Sequence, residues 1–188
     1  MRGEAIDTIL TDILVGTPAH YLGVFSRDQF PLSTKIYHLA HASTRYPSAY
    51  VANPDPSSLH GEYWVGFYHL SPSHFEFFDS YGCRPDDSHF PIPLTITQID
   101  INSHQIQSNN SSNCGQYCIF YHYHDFSLPE IMKALPMTSK PDLFVRTFTP
   151  KLRSRISFCS VDHSCCNHQS CTPKHQENDN DSILVHVQ

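Results

Sequence analysis

The stretch that decides the fold runs from Tyr63 to Asp79 and reads YWVGFYHLSPSHFEFFD. Aromatic and β-branched residues crowd both ends of this stretch, and a Ser-Pro-Ser sequence typical of a tight turn separates them at 71–73. Two short apolar runs on either side of a turn are the sequence pattern of a β-hairpin. We therefore predict that Tyr63–Tyr68 pairs antiparallel with Phe75–Asp79 and that Trp64 is buried.

Helices are predicted on both sides of this hairpin along the chain. Apolar residues recur at helical spacing from residue 4 to residue 15, and Gly16 should end that helix. Three more helices are predicted: from Cys114 to about residue 124, at Glu130–Leu135, and from Pro141 through Phe148. Further strands are predicted at Tyr21–Phe25 and Leu94–Ile101, whereas the Ser-, Pro- and Asn-rich residues 43–60 are predicted to form a loop. This mixture of elements indicates an α+β domain.

Composition narrows the function classes. The chain has 188 residues, enough for one domain with a sizeable core, and its net charge of -6 argues against a strongly basic nucleic-acid binder. No stretch is long and apolar enough to span a bilayer, and the start of the sequence lacks the features of a signal peptide. We therefore expect an intracellular, nuclear or cytoplasmic monomer with no membrane partner and no cofactor, whose seven cysteines are reduced thiols.

Cys114 is the first candidate for chemistry. It follows the polar run 108–113 and opens a predicted helix, where the helix dipole and unpaired backbone N–H groups favour the nucleophilic thiolate. An isolated cysteine is more often a small core residue, so the neighbours decide. Gln107, in the same loop, could donate a hydrogen bond to an oxyanion. Asp79, at a strand end, could orient a base.

Four segments, taken in order, resemble the adenovirus-type cysteine proteases, the adenain-like family. They are YLGVFSRDQFP at 21–31, GEYWVGF at 61–67, FDSYG at 78–82 and QSNNSSNCGQYC at 107–118. These resemble the family's early Leu-Gly and Pro segment, its Gly-x-His-Trp strand, its acidic strand end and its glutamine-to-cysteine segment. The likeness covers residues 4–150 and is strongest toward the proteases of Maverick or Polinton transposons, because residues 53–56 read Asn-Pro-Asp-Pro before the base strand.

This resemblance implies an adenain-like fold with a mixed central sheet, flanking helices and the nucleophile at a helix N-terminus. It implies a protease domain at residues 1–155, followed by a Cys/His-rich tail at 156–188 that we expect to be disordered. In the implied site, Cys114 is the nucleophile, Asp79 the orienting acid and Gln107 the oxyanion-hole donor. The implied substrates are proteins or peptides, with viral or virus-like structural proteins as the family's targets.

The chain departs from the family at the base, because Tyr63 stands where the catalytic histidine is expected. A phenol with a pKa near 10 is a poor base at pH 7. We expect the Tyr63 side chain to enter the cleft beside Cys114 and Asp79, with Asp79 accepting its hydroxyl. A substitute imidazole would have to come from elsewhere in the chain; the candidates considered are His60, His69, His74 and His104. An endopeptidase of impaired activity and an inactive, protein-binding pseudoprotease therefore both stay open.

A third reading concerns metal binding by the tail. The residue types that bind zinc recur there, as Cys159, Cys165, Cys166, Cys171, His163, His168 and His175. No pair of matching Cys-x-x-Cys motifs accompanies them, so an unstructured tail is the simpler interpretation and no metal site is assigned. Cys114 and Cys118 are also spaced as a helical metal pair would be, but the family resemblance favours the nucleophile role for Cys114.

Overall fold

The computed structural model describes residues 1–29, 46–59, 61, 63–86, 88, 90, 92, 94, 96–102, 104–123, 128–135 and 140–161. One five-stranded sheet runs through them, with its strands in the order in which they occur along the chain. The strands are β1 His20–Ser26, β2 Ser48–Asn53, β3 Val65–Ser71, β4 His74–Phe78 and β5 Gln98–Ile101. The two outer pairs, β1–β2 and β4–β5, are parallel, whereas β2, β3 and β4 pair antiparallel, so the sheet is mixed.

Helices flank this sheet, which confirms the α+β class. They are α1 Gly3–Leu14, α2 Cys114–Tyr123, α3 Leu128–Ala134 and α4 Pro141–Val161. The first ends as predicted, because Gly16 adopts a left-handed φ of 81° two residues after Leu14. Within the ranges that the structure describes, no helix is long and apolar enough to cross a membrane.

The predicted hairpin is present, with a later start. Its ladder runs from the Gly66–Phe78 pair to the Ser71–His74 pair, across a turn at Pro72 and Ser73. Trp64 is buried as predicted and donates its indole N–H to the Met1 carbonyl at 3.0 Å. The strand begins at Val65 rather than Tyr63, because its other partner β2 ends just after the Ala52–Val65 pair. Tyr63 and Trp64 therefore lie outside the ladder.

The prediction of a loop over 43–60 is wrong at its centre. β2 occupies 48–53, inside the sheet between β1 and β3, and all six of its residues are buried. Ala49 and Val51 face the helix-side core, whereas Tyr50 and Ala52 face the opposite core. A strand covered on both faces needs no apolar–polar alternation, so the sequence of β2 shows no strand pattern. The serines and prolines around it indicated a loop instead. The predicted strand at Leu94–Ile101 is shorter than expected, since Leu94 is fully exposed and β5 begins at Gln98.

The sheet separates two apolar cores. On one face, α1 and α2 pack together over β2 through Ile6, Ile9, Leu10, Cys118 and Ile119. On the other face, aromatic rings stack on the strands, with Phe67 at 4.9 Å from Tyr50 and at 5.0 Å from Phe77 between ring centroids. A third cluster joins α2 to α3 and α4 through Phe120, Ile131 and Val145. The helix that begins at Cys114 therefore packs against α1, against the sheet, and against α3 and α4.

The predicted tail starts inside a helix. α4 continues to Val161, past the predicted boundary between residues 155 and 156. Residues 162–188, with most of the candidate zinc ligands, lie outside the described residues, and so does the side chain of Cys159. The disordered tail stays a prediction.

His122 should make the fold sensitive to acid. Its ring is fully buried, Nε2 lies 3.2 Å from the Tyr50 carbonyl and Nδ1 has no hydrogen-bond partner. Burial lowers the pKa of His122 from 6.5 to about 4, although the Tyr50 carbonyl acts in the opposite direction. The unfolded chain therefore takes up this proton more readily. The neutral, buried His122 therefore raises the free energy of unfolding by on the order of 3 kcal/mol above about pH 6.5. This stability is lost as the pH falls through the folded pKa.

Urea unfolding of the unaltered protein and of His122→Phe, each followed from neutral to mildly acidic pH, measures this contribution. We expect a flatter pH dependence for the variant. Glu76 and Asp79, whose pKa values burial raises, titrate in both proteins and cancel in the comparison. His104→Phe, at an exposed position, should leave the dependence unchanged. Equal slopes for the unaltered protein and His122→Phe would contradict the prediction.

Candidate functional site

Cys114 is the first residue of α2, as the sequence predicts. The Asn113 carbonyl accepts the Tyr117 N–H at 3.0 Å and closes the first turn. The thiol is only 3% exposed. Burial raises the pKa of Cys114, although the backbone N–H groups of Trp64 and Gly115 act to lower it. Desolvation therefore opposes the expected activation by the helix end and favours the neutral thiol.

Asp79 directly follows β4 and is completely buried. Its Oδ1 accepts the Tyr81 N–H at 2.8 Å and its Oδ2 accepts the Cys83 N–H at 3.1 Å. Burial raises the pKa of this carboxyl group, and these hydrogen bonds partly offset the rise. Asn102 binds the Asp79 backbone from the other side, accepting its N–H at 2.8 Å. Asp79 is therefore rigidly placed, and its carboxylate organises the loop that follows.

Tyr63 lies beside Asp79, in the place that the resemblance gives to the base. Its hydroxyl is buried and meets no strict hydrogen-bond geometry, yet it lies close enough to the Asp79 carboxylate to offset part of the rise that burial causes in the pKa of Asp79. Burial, and next the charge of Asp79, raise the pKa of Tyr63 far above its usual range. A phenol held in this way keeps its proton at any physiological pH and cannot act as a base.

Gln107 is buried in the same region, but its amide is already engaged. Its Oε1 accepts the Ser80 hydroxyl at 2.6 Å. Its Nε2 donates to the Tyr81 hydroxyl at 3.1 Å and to the Ser111 carbonyl at 2.7 Å. An amide nitrogen carries two hydrogens, and Gln107 uses both of them in these two bonds. Neither hydrogen is left to bind an oxyanion.

Tyr81 links the predicted residues, although the sequence does not single it out. Its ring centroid lies 5.7 Å from that of Tyr63, and its hydroxyl donates to Ser111 at 3.0 Å while accepting from Gln107. Burial raises the pKa of Tyr81, and the nearby carboxylates of Asp142 and Asp79 raise it further. Tyr81 therefore contacts three of the predicted residues: its ring packs near Tyr63, its hydroxyl accepts from Gln107 and its backbone N–H binds Asp79. A single tyrosine in a loop shows no periodic pattern, so sequence analysis missed it.

Asp142, near the start of α4, is the second residue that sequence analysis missed. Its Oδ2 accepts the Ser108 N–H at 3.1 Å and the Ser108 hydroxyl, and its Oδ1 accepts the Ser111 hydroxyl at 2.7 Å and the Tyr117 hydroxyl at 3.2 Å. Partial burial acts to raise the pKa of Asp142, but the bonds from Ser108 and Ser111 hold it below its usual value. Asp142 therefore braces the polar loop in front of Cys114. The only sequence signal for Asp142 was its place as an acidic residue in the first turn of a predicted helix.

Where the structure describes them, the histidines considered as substitutes for the missing base make contacts elsewhere in the fold. His69 pairs with the Tyr50 hydroxyl at 3.0 Å and stacks on Phe75, and His74 lies 2.6 Å from the Asp100 carboxylate. The backbone of His104 packs against Gly82. His60 lies outside the described residues. Within the described ranges, no three His, Cys, Asp or Glu side chains are grouped as a metal site requires.

Comparisons with known proteins add little to this geometry. No protein-family model and no curated protein matches the chain. Among solved structures, the chain is similar to the central domain of the uncharacterized Lpg1148 protein from Legionella pneumophila, with a TM-score of 0.47 and 15% sequence identity. That match covers 81% of this chain and 96% of the other. A likeness of this degree carries no conclusion about family or activity.

Proposed function

We propose that this chain is an adenain-like, cysteine-endopeptidase-like protein that has lost turnover and binds protein or peptide segments in the retained cleft. The observation that carries this proposal is the pair formed by Tyr63 and Asp79. The buried hydroxyl of Tyr63 stands next to the buried carboxylate of Asp79. In the adenain-like reading these two residues hold the base and acid positions, and neither supplies an imidazole that would move a proton.

The nucleophile supports this reading. A thiolate attacks a peptide carbonyl, and an ordinary thiol with a pKa of about 8.5 supplies a few per cent of it at neutral pH. Burial raises the pKa of Cys114, which leaves less thiolate than in an ordinary cysteine. The attack step is therefore disfavoured before any proton transfer is considered.

Proton transfer to the leaving amine is the second difficulty. In a related serine-protease triad, loss of the base costs roughly a factor of 10⁶ in turnover. Tyr63 cannot replace the base, because its pKa is raised by burial and by Asp79. The engaged amide of Gln107 removes a stabilising donor as well. Without a base and without a free oxyanion donor, peptide binding is the activity that the site supports best.

An active endopeptidase is the second candidate, and the position of Cys114 favours it. The thiol lies at the N-terminus of a ten-residue helix, with backbone N–H groups of Trp64 and Gly115 directed at it. That arrangement suits a thiolate. This candidate requires an imidazole that reaches Cys114, and His60 would then be the residue to test.

Hydrolysis and thiol reactivity separate the two candidates. The full chain is incubated with a mixture of short random peptides, and the products are identified by mass spectrometry for the unaltered protein and for Cys114→Ala. We expect no cleavage that depends on Cys114. In parallel, limited alkylation with iodoacetamide should modify Cys114 at least about tenfold more slowly than the exposed Cys83, because a buried protonated thiol reacts slowly. Fast alkylation of Cys114 together with cleavage abolished in Cys114→Ala would reverse the assignment.

A further inference from the structure

A cavity of about 680 Å³ opens beside the cleft, between the segment that contains Gln107 and the first turns of α4. Its walls include Gln107 and Asn113 on one side and Lys140, Asp142 and Arg146 on the other. The volume is in the range of pockets that bind ligands in proteins. The cavity therefore extends the candidate site toward α4, and none of the roles discussed so far uses it.

Two positive side chains line this cavity. Lys140 and Arg146 are exposed, and neither side chain forms an ion pair or hydrogen bond in the part of the chain that the structure describes. The Asp142 carboxylate is also in the lining, held by hydrogen bonds from Ser108, Ser111 and Tyr117, so the lining carries two positive charges and one negative charge. The Phe144 N–H donates to the Lys140 carbonyl at 3.0 Å, which fixes the Lys140 backbone at the helix start.

We propose that this cavity binds an acidic peptide segment, whose carboxylates pair with Lys140 and Arg146. This inference rests on the proposed function, since it gives the class of peptide that the cleft holds. Gln107 forms a wall of the cavity and also belongs to the cleft, so one extended peptide can occupy both. Ile106 and Leu143 line the same cavity and supply apolar surface for the aliphatic parts of such a peptide.

The charge of the whole protein sharpens this inference. The chain carries a net charge of -6, which repels acidic peptides at a distance. Acidic selectivity therefore has to come from local positive groups. An exposed ion pair contributes modestly, so loss of either cation should weaken binding about two- to fivefold, and loss of both about tenfold. High salt should reduce the affinity further, because it screens exposed charges.

The test begins with a selection. A bead-displayed library of short random peptides is selected against the full chain, and the selected peptides are sequenced. We expect enrichment of Asp and Glu. One selected peptide is then labelled with fluorescein, and its affinity is measured by anisotropy for the unaltered protein, Lys140→Gln, Arg146→Gln and the double variant. Lys151→Gln is the matched control, since Lys151 is an exposed cation of α4 outside the cavity lining.

We expect a two- to fivefold loss for each cavity variant, about tenfold for the double variant and no loss for Lys151→Gln. Selected peptides without acidic enrichment, or equal affinities for all variants, would overturn this inference and leave peptide binding in place. Inorganic phosphate that binds by calorimetry as tightly as the peptides would also overturn it, because the site would then take a small anion. A selection that yields no peptide would overturn the proposed function itself.

Discussion

Replacing Tyr63 by histidine should turn the protein into a peptidase. We expect Tyr63→His to raise peptide hydrolysis by about a hundredfold or more over the unaltered chain, the lower end of what general acid–base catalysis supplies. The new imidazole would stand beside the buried Asp79 carboxylate, which is fixed by the N–H groups of Tyr81 and Cys83 and is ready to hold a ring N–H. Steady-state cleavage of a fluorogenic peptide, identified by screening, measures the gain.

Two further variants control this experiment. Tyr63→Phe removes the hydroxyl without supplying a base, so it should stay inactive. Tyr63→His combined with Cys114→Ala should lose the gained activity. Equal, Cys114-dependent hydrolysis by the unaltered chain and by Tyr63→His would show that another residue is the base, and the search would move to His60 and His104.

Gly82 is the second position at which one substitution should have a large effect. Its φ is 73°, and a β-carbon there would lie 2.8 Å from the carbonyl carbon of His104 and 2.9 Å from the nitrogen of Gln105. Both contacts are with backbone, which cannot rotate away. Gly82→Ala should therefore lower the free energy of unfolding by about 3 kcal/mol or more, from left-handed strain and from displacement of the segment that leads to Gln107.

Gly16 offers a matched control for this substitution. Its φ is 81°, yet a β-carbon there would meet no atom within 4 Å. Gly16→Ala should therefore cost only the conformational strain, about 1 kcal/mol. Urea unfolding of both variants gives the difference. The displaced loop should also expose Cys114, so alkylation of Cys114 should speed up in Gly82→Ala alone. Equal stability losses for the two variants would show that the backbone contacts at Gly82 relax without cost.

The parts of the fold that sequence analysis predicted are those with a local pattern. The aromatic hairpin, α1 and the helix start at Cys114 follow from spacing, turn residues and a glycine stop. β2 shows the opposite case, because its edges pair with β1 and β3 and its two faces are covered by the two apolar cores. No pattern within six residues carries that information. The late start of β3 has the same cause, since β2 sets where the ladder ends.

The candidate site, too, could be predicted from the sequence only in part. Residue types and their order identified Cys114, Asp79, Gln107 and the substitution at Tyr63. The protonation of Cys114 could not be predicted, because it depends on how far burial outweighs the helix end. The engagement of Gln107 depends on Tyr81, and the bracing of the nucleophile loop depends on Asp142, which is more than thirty positions away from Ser108. Such contacts between loops leave no signature in a single sequence.

The order of the strands has a consequence for synthesis on the ribosome. Because the strands lie in the sheet in chain order, each can add to an existing edge as it emerges. The apolar face of α1 is covered in two stages: Ala49 and Val51 of β2 reach it early, whereas Cys118 and Ile119 are made about a hundred residues later. Until then, part of this face stays open to solvent. The helix that begins at Cys114 is thus also the element that finishes covering α1.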